Sequence, residues 1–245
     1  MKLLLLSVFV LLLGACSAGE AADKKENSVV SEAAASEVVK DEDTKPEVEL
    51  VEANGNTKLI QWLSDSMDRG NHDYDTMAHS ELVVELNYSE ANRGDVIYYK
   101  TPESAVEKNP QLPEFYIARV VGLPGETVEI RAGQVYVDDK KLDTFYGVAT
   151  DRGLGKDDYF KMAEQNIEEG TWTTDEEVSK KELITWVNMD AKEEYFATSI
   201  EPVKVTTEAV FVLVDQWWRG TDSRDFGELP LERVEGKVIG YVKNK

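Results

Sequence analysis

The chain has 245 residues, a formal charge of −21, one cysteine and two histidines. That length fits one large domain, or one domain with an insertion. The acidic balance excludes the basic clusters needed for nucleic acid or for a polybasic grip on anionic lipid. A lone Cys16 excludes an internal disulfide framework and a cysteine-based metal cluster, and with only His72 and His79 beside it no metal or other cofactor is expected.

Residues 1–15 read as an export signal: Lys2 gives a positive start, and Leu3 to Leu13 is an apolar run too short for a comfortable membrane span. The run ends in Leu13-Gly14-Ala15-Cys16, which resembles a bacterial lipobox. That resemblance implies lipidation of Cys16 and an extracytoplasmic body anchored to the cell membrane, since two acyl chains anchor stably where one is marginal. Residues 16–56 are rich in Glu, Asp, Ala, Ser, Val and Lys and lack aromatics, so they predict a disordered acidic tether, with transient helix over Ser31 to Lys40.

Folding is expected from Thr57 onward, in a domain over 57–245. Leu59 to Leu63 is a short apolar run leading into Ser64-Asp65-Ser66-Met67. Strands are predicted at Leu82 to Leu86, at Asp95 to Lys100 behind the turn Asn92-Arg93-Gly94, and at Tyr116 to Val121. Thr127 to Ile130 and Gln134 to Val137 form a hairpin around Ala132-Gly133, and Asp138-Asp139 begins a second tight turn. An insertion at about 147–205 is predicted to be largely helical, over Tyr159 to Glu169 and Thr174 to Val187. Glu208 to Val214 and Val234 to Val242 return to strand. The pattern indicates a mainly β fold with an antiparallel, barrel-like body.

Four boxes occur in a telling order. Leu63-Ser64-Asp65-Ser66-Met67 is followed by Arg93-Gly94-Asp95-Val96-Ile97, and then by Tyr116-Ile117-Ala118-Arg119-Val120-Val121-Gly122-Leu123-Pro124-Gly125-Glu126. The last is Phe211 to Gly227, within which Asp215, Asp222, Ser223, Arg224 and Gly227 stand out. Together they resemble the boxes of bacterial type I signal peptidases over about Leu59 to Tyr241: Pro-Ser-Gly-Ser-Met, Arg-Gly-Asp-Ile-Val, Tyr-Ile-Lys-Arg-Val-Ile-Gly-Leu-Pro-Gly-Asp, and Gly-Asp-Asn-Arg-Asp-Asn-Ser-x-Asp-Ser-Arg.

The resemblance implies a signal peptidase fold. It makes Ser66 the nucleophile, Ser64 a hydroxyl donor to the oxyanion and Asp222 a supporting residue; a rival alignment puts Thr76-Met77 at the nucleophile box. It also implies two losses. Ala118 stands where the family has its general-base lysine, and Gly220 where it has the serine that hydrogen-bonds that lysine. A serine hydroxyl needs a base, and a lysine serves only when burial leaves it neutral. Removing a base costs on the order of 10⁶ in turnover in other serine hydrolases.

The expectation is therefore a catalytically inactive homologue that binds an extended peptide or an exported partner protein as an added strand. The alternative is an active serine endopeptidase that processes signal peptides with His72 or His79 as substitute base beside Asp222. A third reading is a binding lipoprotein without cleft function. Trp217 and Trp218 are candidate binding residues. On a strand one would face the core and one the solvent; otherwise both pack against the insertion.

Overall fold

The computed structural model describes residues 37–243; the export signal, Cys16 and the first part of the expected tether lie outside the described residues. The chain there runs β1 (Val38–Lys40), β2 (Leu50–Val51), β3 (Thr57–Ile60), β4 (Leu82–Glu85), β5 (Val96–Lys100), α1 (Glu103–Lys108), β6 (Phe115–Gly122), β7 (Thr127–Arg131), β8 (Gln134–Val137) and β9 (Lys140–Asp143). It continues through α2 (Lys156–Glu168), β10 (Trp172–Thr173), α3 (Glu176–Glu182), β11 (Thr185–Trp186), α4 (Met189–Phe196), β12 (Ile200–Lys204), β13 (Ala209–Leu213), α5 (Ser223–Phe226), β14 (Leu229–Pro230) and β15 (Val234–Val242).

Two mainly antiparallel sheets carry the body, as the turn pattern predicts. The larger runs β14-β13-β6-β5-β15-β4-β3, with β2 beside β15, and curls into a half-barrel. Register shifts in the pairings of β13 with β6 and of β15 with β4 and β5 accompany that curl, since an extra residue bends a strand. The smaller sheet runs β1-β9-β8-β7-β12.

Alternation along β13 shows how one strand serves two cores. Val210 and Val212, with Val214 just beyond, pack into the first core beside Ile97, Ala118 and Met67. Ala209, Phe211 and Leu213 pack into the second with Val128, Val135 and Phe196. Every residue of β13 is buried, so an unbroken apolar run is what the position demands.

The turns follow their residues. Ala132-Gly133 and Asp138-Asp139 each take positive φ at both positions, the geometry of a two-residue hairpin turn. Gly133 also meets the insertion: a Cβ there would lie 2.3 Å from the Phe196 carbonyl oxygen at the end of α4.

Two expectations need correction. The tether does not run to residue 56 as a disordered segment, because Val38–Lys40 pairs with β9 and Leu50–Val51 with β15. For the same reason the expected helix over Ser31 to Lys40 fails at 38–40. Composition measures how little such a segment can bury, but an added strand needs only main-chain groups and a waiting edge. Within the insertion, Thr174 to Val187 is not one helix. α3 starts on Asp175, whose carboxylate accepts from the Glu177 and Val178 N–H groups, and stops at Leu183 in the left-handed region. Strands β10 and β11 flank it, and β12 returns to pair with β7.

Candidate functional site

The site assembles from three connections between boxes. β3 leads through Trp62 into Ser66 and Met67, both fully buried. The Ser66 carbonyl accepts from the Gln216 N–H at 2.8 Å, which ties the serine to the loop after β13. β6 brings Ala118, fully buried, opposite Ile97 of β5. Ser66, Ala118 and the 214–220 loop are thus gathered by the larger sheet.

Ser66 and Ala118 are both sealed from solvent. Ala118 sits in the first core with Met67, Val212 and Val214. Gly220 lies against the serine: a Cβ there would stand 3.0 Å from Ser66 Cβ and 2.6 and 2.8 Å from the two Val214 methyls. Val214 stands where the gapless match has the family's box-opening glycine. The change is reciprocal, because the space vacated at 220 is filled from 214.

The Ser66 hydroxyl is buried and has no hydrogen-bond partner. Tyr116 Oη lies beside the hydroxyls of Ser66 and Ser64 and accepts from the Thr221 N–H at 3.4 Å. The approach of Ser66 to Tyr116 falls short of hydrogen-bond geometry, so Ser66 counts as unpartnered. Burial pushes the Tyr116 pKa up despite those neighbours, so the phenol stays protonated and is no base near neutrality. The Ser66 N–H donates to Ser64 Oγ at 3.2 Å, so the hydroxyl expected to face an oxyanion is taken up by the main chain of Ser66.

Neither histidine meets the serine, which corrects the substitute-base expectation. His72 is exposed on a loop where its N–H donates to Asp68 Oδ1 at 2.8 Å. His79 is exposed too, with its ring 4.7 Å from that of Tyr241 and Nε2 3.2 Å from the Asn71 carbonyl oxygen. Thr76 Oγ1 is spent on the main chain of Trp62, donating to its carbonyl at 2.9 Å and accepting its N–H at 3.0 Å.

Asp222 is fully buried and fully engaged. It accepts from the Val214 N–H at 3.0 Å, caps α5 through the Arg224 N–H at 3.0 Å, and receives the Arg224 guanidinium at 2.8 and 2.9 Å. Its support is given to the loop and leaves nothing to orient a histidine.

Trp217 and Trp218 occupy a turn, not a strand. Trp217 is buried in the second core beneath Arg224. Trp218 keeps 44% of its surface but packs on α4, with Lys192 Nζ 3.9 Å above its ring and Tyr195 edge-on at 5.3 Å. Lys192 also pairs with Asp151, which accepts from Gln216 Nε2 at 3.3 Å. The insertion therefore clamps the loop that holds Ser66.

The Arg119–Asp215 pair is not anticipated from sequence, although both residues sit in well-matching boxes. Arg119 donates to the two Asp215 oxygens at 2.7 and 2.5 Å and to the Gly94 carbonyl at 2.8 Å, with both partners buried. Burial alone would lower the arginine pKa, but the carboxylate more than offsets it and the guanidinium stays charged. The missed signal was that an invariantly charged side chain in an apolar strand must find a carboxylate.

One stretch of β6 lacks a second strand partner; in it Phe115 is half-buried and Ile117 is fully buried. β6 pairs with β5 from Phe115 to Arg119 but with β13 only from Arg119 to Gly122. Thr101 N–H bonds Glu114 O and Val120 N–H bonds Asp95 O. By alternation Tyr116 and Ala118 bond β5, and Phe115 and Ile117 aim their N–H and C=O groups away from it. Among the described residues no helix is long and apolar enough to cross a membrane.

The family model for "Signal peptidase, peptidase S26" matches residues 55–242. A signal peptidase I of Leptolyngbya laminosa is 37% identical over 71 residues, 28% of this chain and 35% of that protein. An inactive signal peptidase IA of Staphylococcus aureus is 29% identical over 63 residues, 26% of this chain and 30% of that protein. The matches thus span about a third of the length of these curated relatives. A crystal structure of a signal peptidase I from Enterococcus faecalis aligns with a TM-score of 0.34 at 25% identity, covering 62% of this chain and 99% of that one.

Proposed function

The chain belongs to the signal peptidase, peptidase S26 family, and within it we propose a non-cleaving member that binds an extended peptide, held at the extracytoplasmic face of the cell membrane by lipid on Cys16. The observation that carries the first part is the packing of Ala118, Gly220 and Val214. No side chain within hydrogen-bonding reach of Ser66 Oγ is able to take its proton. β6 at Phe115, half-buried and without a strand partner on the β13 side, supports the second part, because an extended peptide adds to such an edge through main-chain bonds. The lipobox-like Leu13-Gly14-Ala15-Cys16 supports the third.

Incubation with a fluorophosphonate and with an exported preprotein tests the loss of cleavage. Neither labelling nor hydrolysis is expected; hydrolysis that disappears in Ser66→Ala overturns the reading. Titration of extended peptides, followed through tryptophan fluorescence, tests binding. Peptides N-methylated at alternate main-chain positions are expected to bind at least about tenfold more weakly, since each lost main-chain bond removes roughly 0.5–1.5 kcal/mol. Equal binding of methylated and unmethylated peptides sinks the added-strand mode.

A further inference from the structure

Segment 37–51 is tied to both halves of the body yet buries little of itself. β1 lies parallel on β9, with Val38 opposite Lys141 and Lys40 opposite Asp143. β2 lies parallel on β15, where the Tyr241 N–H donates to Glu49 O and the Lys243 N–H to Val51 O, each at 2.8 Å. Between the two strands, Asp41 accepts from the Tyr146 hydroxyl at 2.6 Å. Apolar contact comes to one valine at each end: Val39 packs on the second core and Val48 on the first. Val38 and Leu50 face outward, 42% and 67% exposed.

The charged contact is equally superficial. Glu37 pairs with Lys140, but both side chains are largely exposed, and such surface pairs contribute little. A segment held by a few main-chain bonds, one tyrosine–carboxylate hydrogen bond and two half-buried valines opens long before strands such as β5 and β6.

We propose that 37–51 is a releasable strap. Docked, it closes the outer edge of β9, fills the notch beside β15 and shortens the leash between Cys16 and the body. Released, it returns about fifteen residues to that leash, or roughly 50 Å of extended chain. The leash role rests on the lipid anchor proposed above; the docking and release do not.

Hydrogen exchange on the full chain in detergent tests the release. The Tyr241 and Lys243 amides, which donate to the strap, are expected to exchange at least about 10²-fold faster than those of Tyr99 and Ala118, yet more slowly than an unprotected peptide. Val39→Ser with Val48→Ser is expected to bring them to the unprotected rate with little change in the thermal midpoint. Protection equal to that of Tyr99 and Ala118, or a midpoint that falls along with strap protection, makes the segment an integral part of the fold. No protection in the wild type means that it never docks. Either result overturns the strap.

A second measurement isolates the leash. Energy transfer from a donor dye on the exposed Lys161 side of α2 to a lipid dye in phosphatidylcholine vesicles is expected to fall in the double-valine variant. Unchanged transfer, with release already seen by exchange, overturns the leash. Retention of Cys16→Ser on the vesicles overturns the anchor instead and leaves the strap standing.

Discussion

Ala118 and Arg119 are neighbours on one strand and have opposite fates. Arg119 keeps its box identity and is bonded to Asp215, Gly94 and Tyr74. Ala118 has lost the family's lysine and is packed among Met67, Val212 and Val214. The difference is one of physical cost. Losing either half of a buried ion pair strands a charge, whereas losing a buried base leaves a methyl that packs well. On the proposed reading, this fold sheds the chemistry of its cleft without shedding the charges that shape it.

The strongest way to break that contrast is to return the chemistry. Ala118→Lys alone is expected to yield no fluorophosphonate labelling, and to lower stability by about 1–3 kcal/mol through overpacking. Ala118→Lys with Val214→Gly and Gly220→Ser clears the space over Ser66 and restores the serine partner. That triple variant is expected to label at least about 10³-fold faster than the single one, within the range a triad residue is worth. Labelling by the single variant means that Val214 does not close the site.

The opposite side of β6 should respond through stability instead. Asp215→Ala is expected to cost about 3–5 kcal/mol by urea unfolding, because Arg119 is left buried and unpaired. Adding Arg119→Met should recover most of that loss. A cost below about 1 kcal/mol for Asp215→Ala would mean that water reaches the arginine.

Part of this contrast was legible in the sequence. The mainly β class, the two hairpin turns, α2 and the missing lysine all follow from local signals: turn residues, period and one box. Alignment names Ala118 and Gly220, but not the Val214 methyls that fill the gap, because that contact exists only once β13 lies beside β6. The docking of 37–51 was illegible for a related reason. Its partners are main-chain groups more than ninety residues away, about which side-chain composition says nothing. His72 and His79 misled because nearness to Ser66 in sequence is not nearness in space: the Asp68 carboxylate holds the loop with His72 on the surface.

Two buried serines give a finer comparison of shed chemistry and kept framework. Ser223 Oγ accepts from the Val212 N–H at 2.9 Å, whereas Ser66 Oγ has no partner. Ser223→Ala is expected to cost about 1–2 kcal/mol, since it strands a main-chain donor. Ser66→Ala should be neutral or stabilising by up to about 1 kcal/mol, since it removes a buried hydroxyl that bonds nothing. Matched losses in the two variants would mean that Ser66 is satisfied after all, by a water within the site.

The smallest effect sets the strap against the body. Asp41, Thr44, Gly94 and Arg119 line one cavity of about 520 Å³, so the strap lies on the Arg119 side of β6. Burial would raise the Asp41 carboxyl, but hydrogen bonds from Thr44 and Tyr146, with the Thr44 and Asp43 N–H groups, outweigh it and leave the pKa below its ordinary value. A carboxyl depressed in the docked state supports docking above its free pKa of about 3.9 and loses that support as pH falls through the lower, docked value. Asp41 is only half-buried, so screening confines the effect to a few tenths of a kcal/mol. Exchange at the Tyr241 and Lys243 amides, corrected for its intrinsic pH dependence, should therefore gain on that of β5 and β6 only below about pH 4. Tyr146→Phe removes one of the opposing hydrogen bonds, brings the docked Asp41 pKa closer to its free value and so shrinks the acid-dependent gain, whose onset the free pKa sets. A gain of unchanged size assigns the acid sensitivity to another carboxylate of the strap.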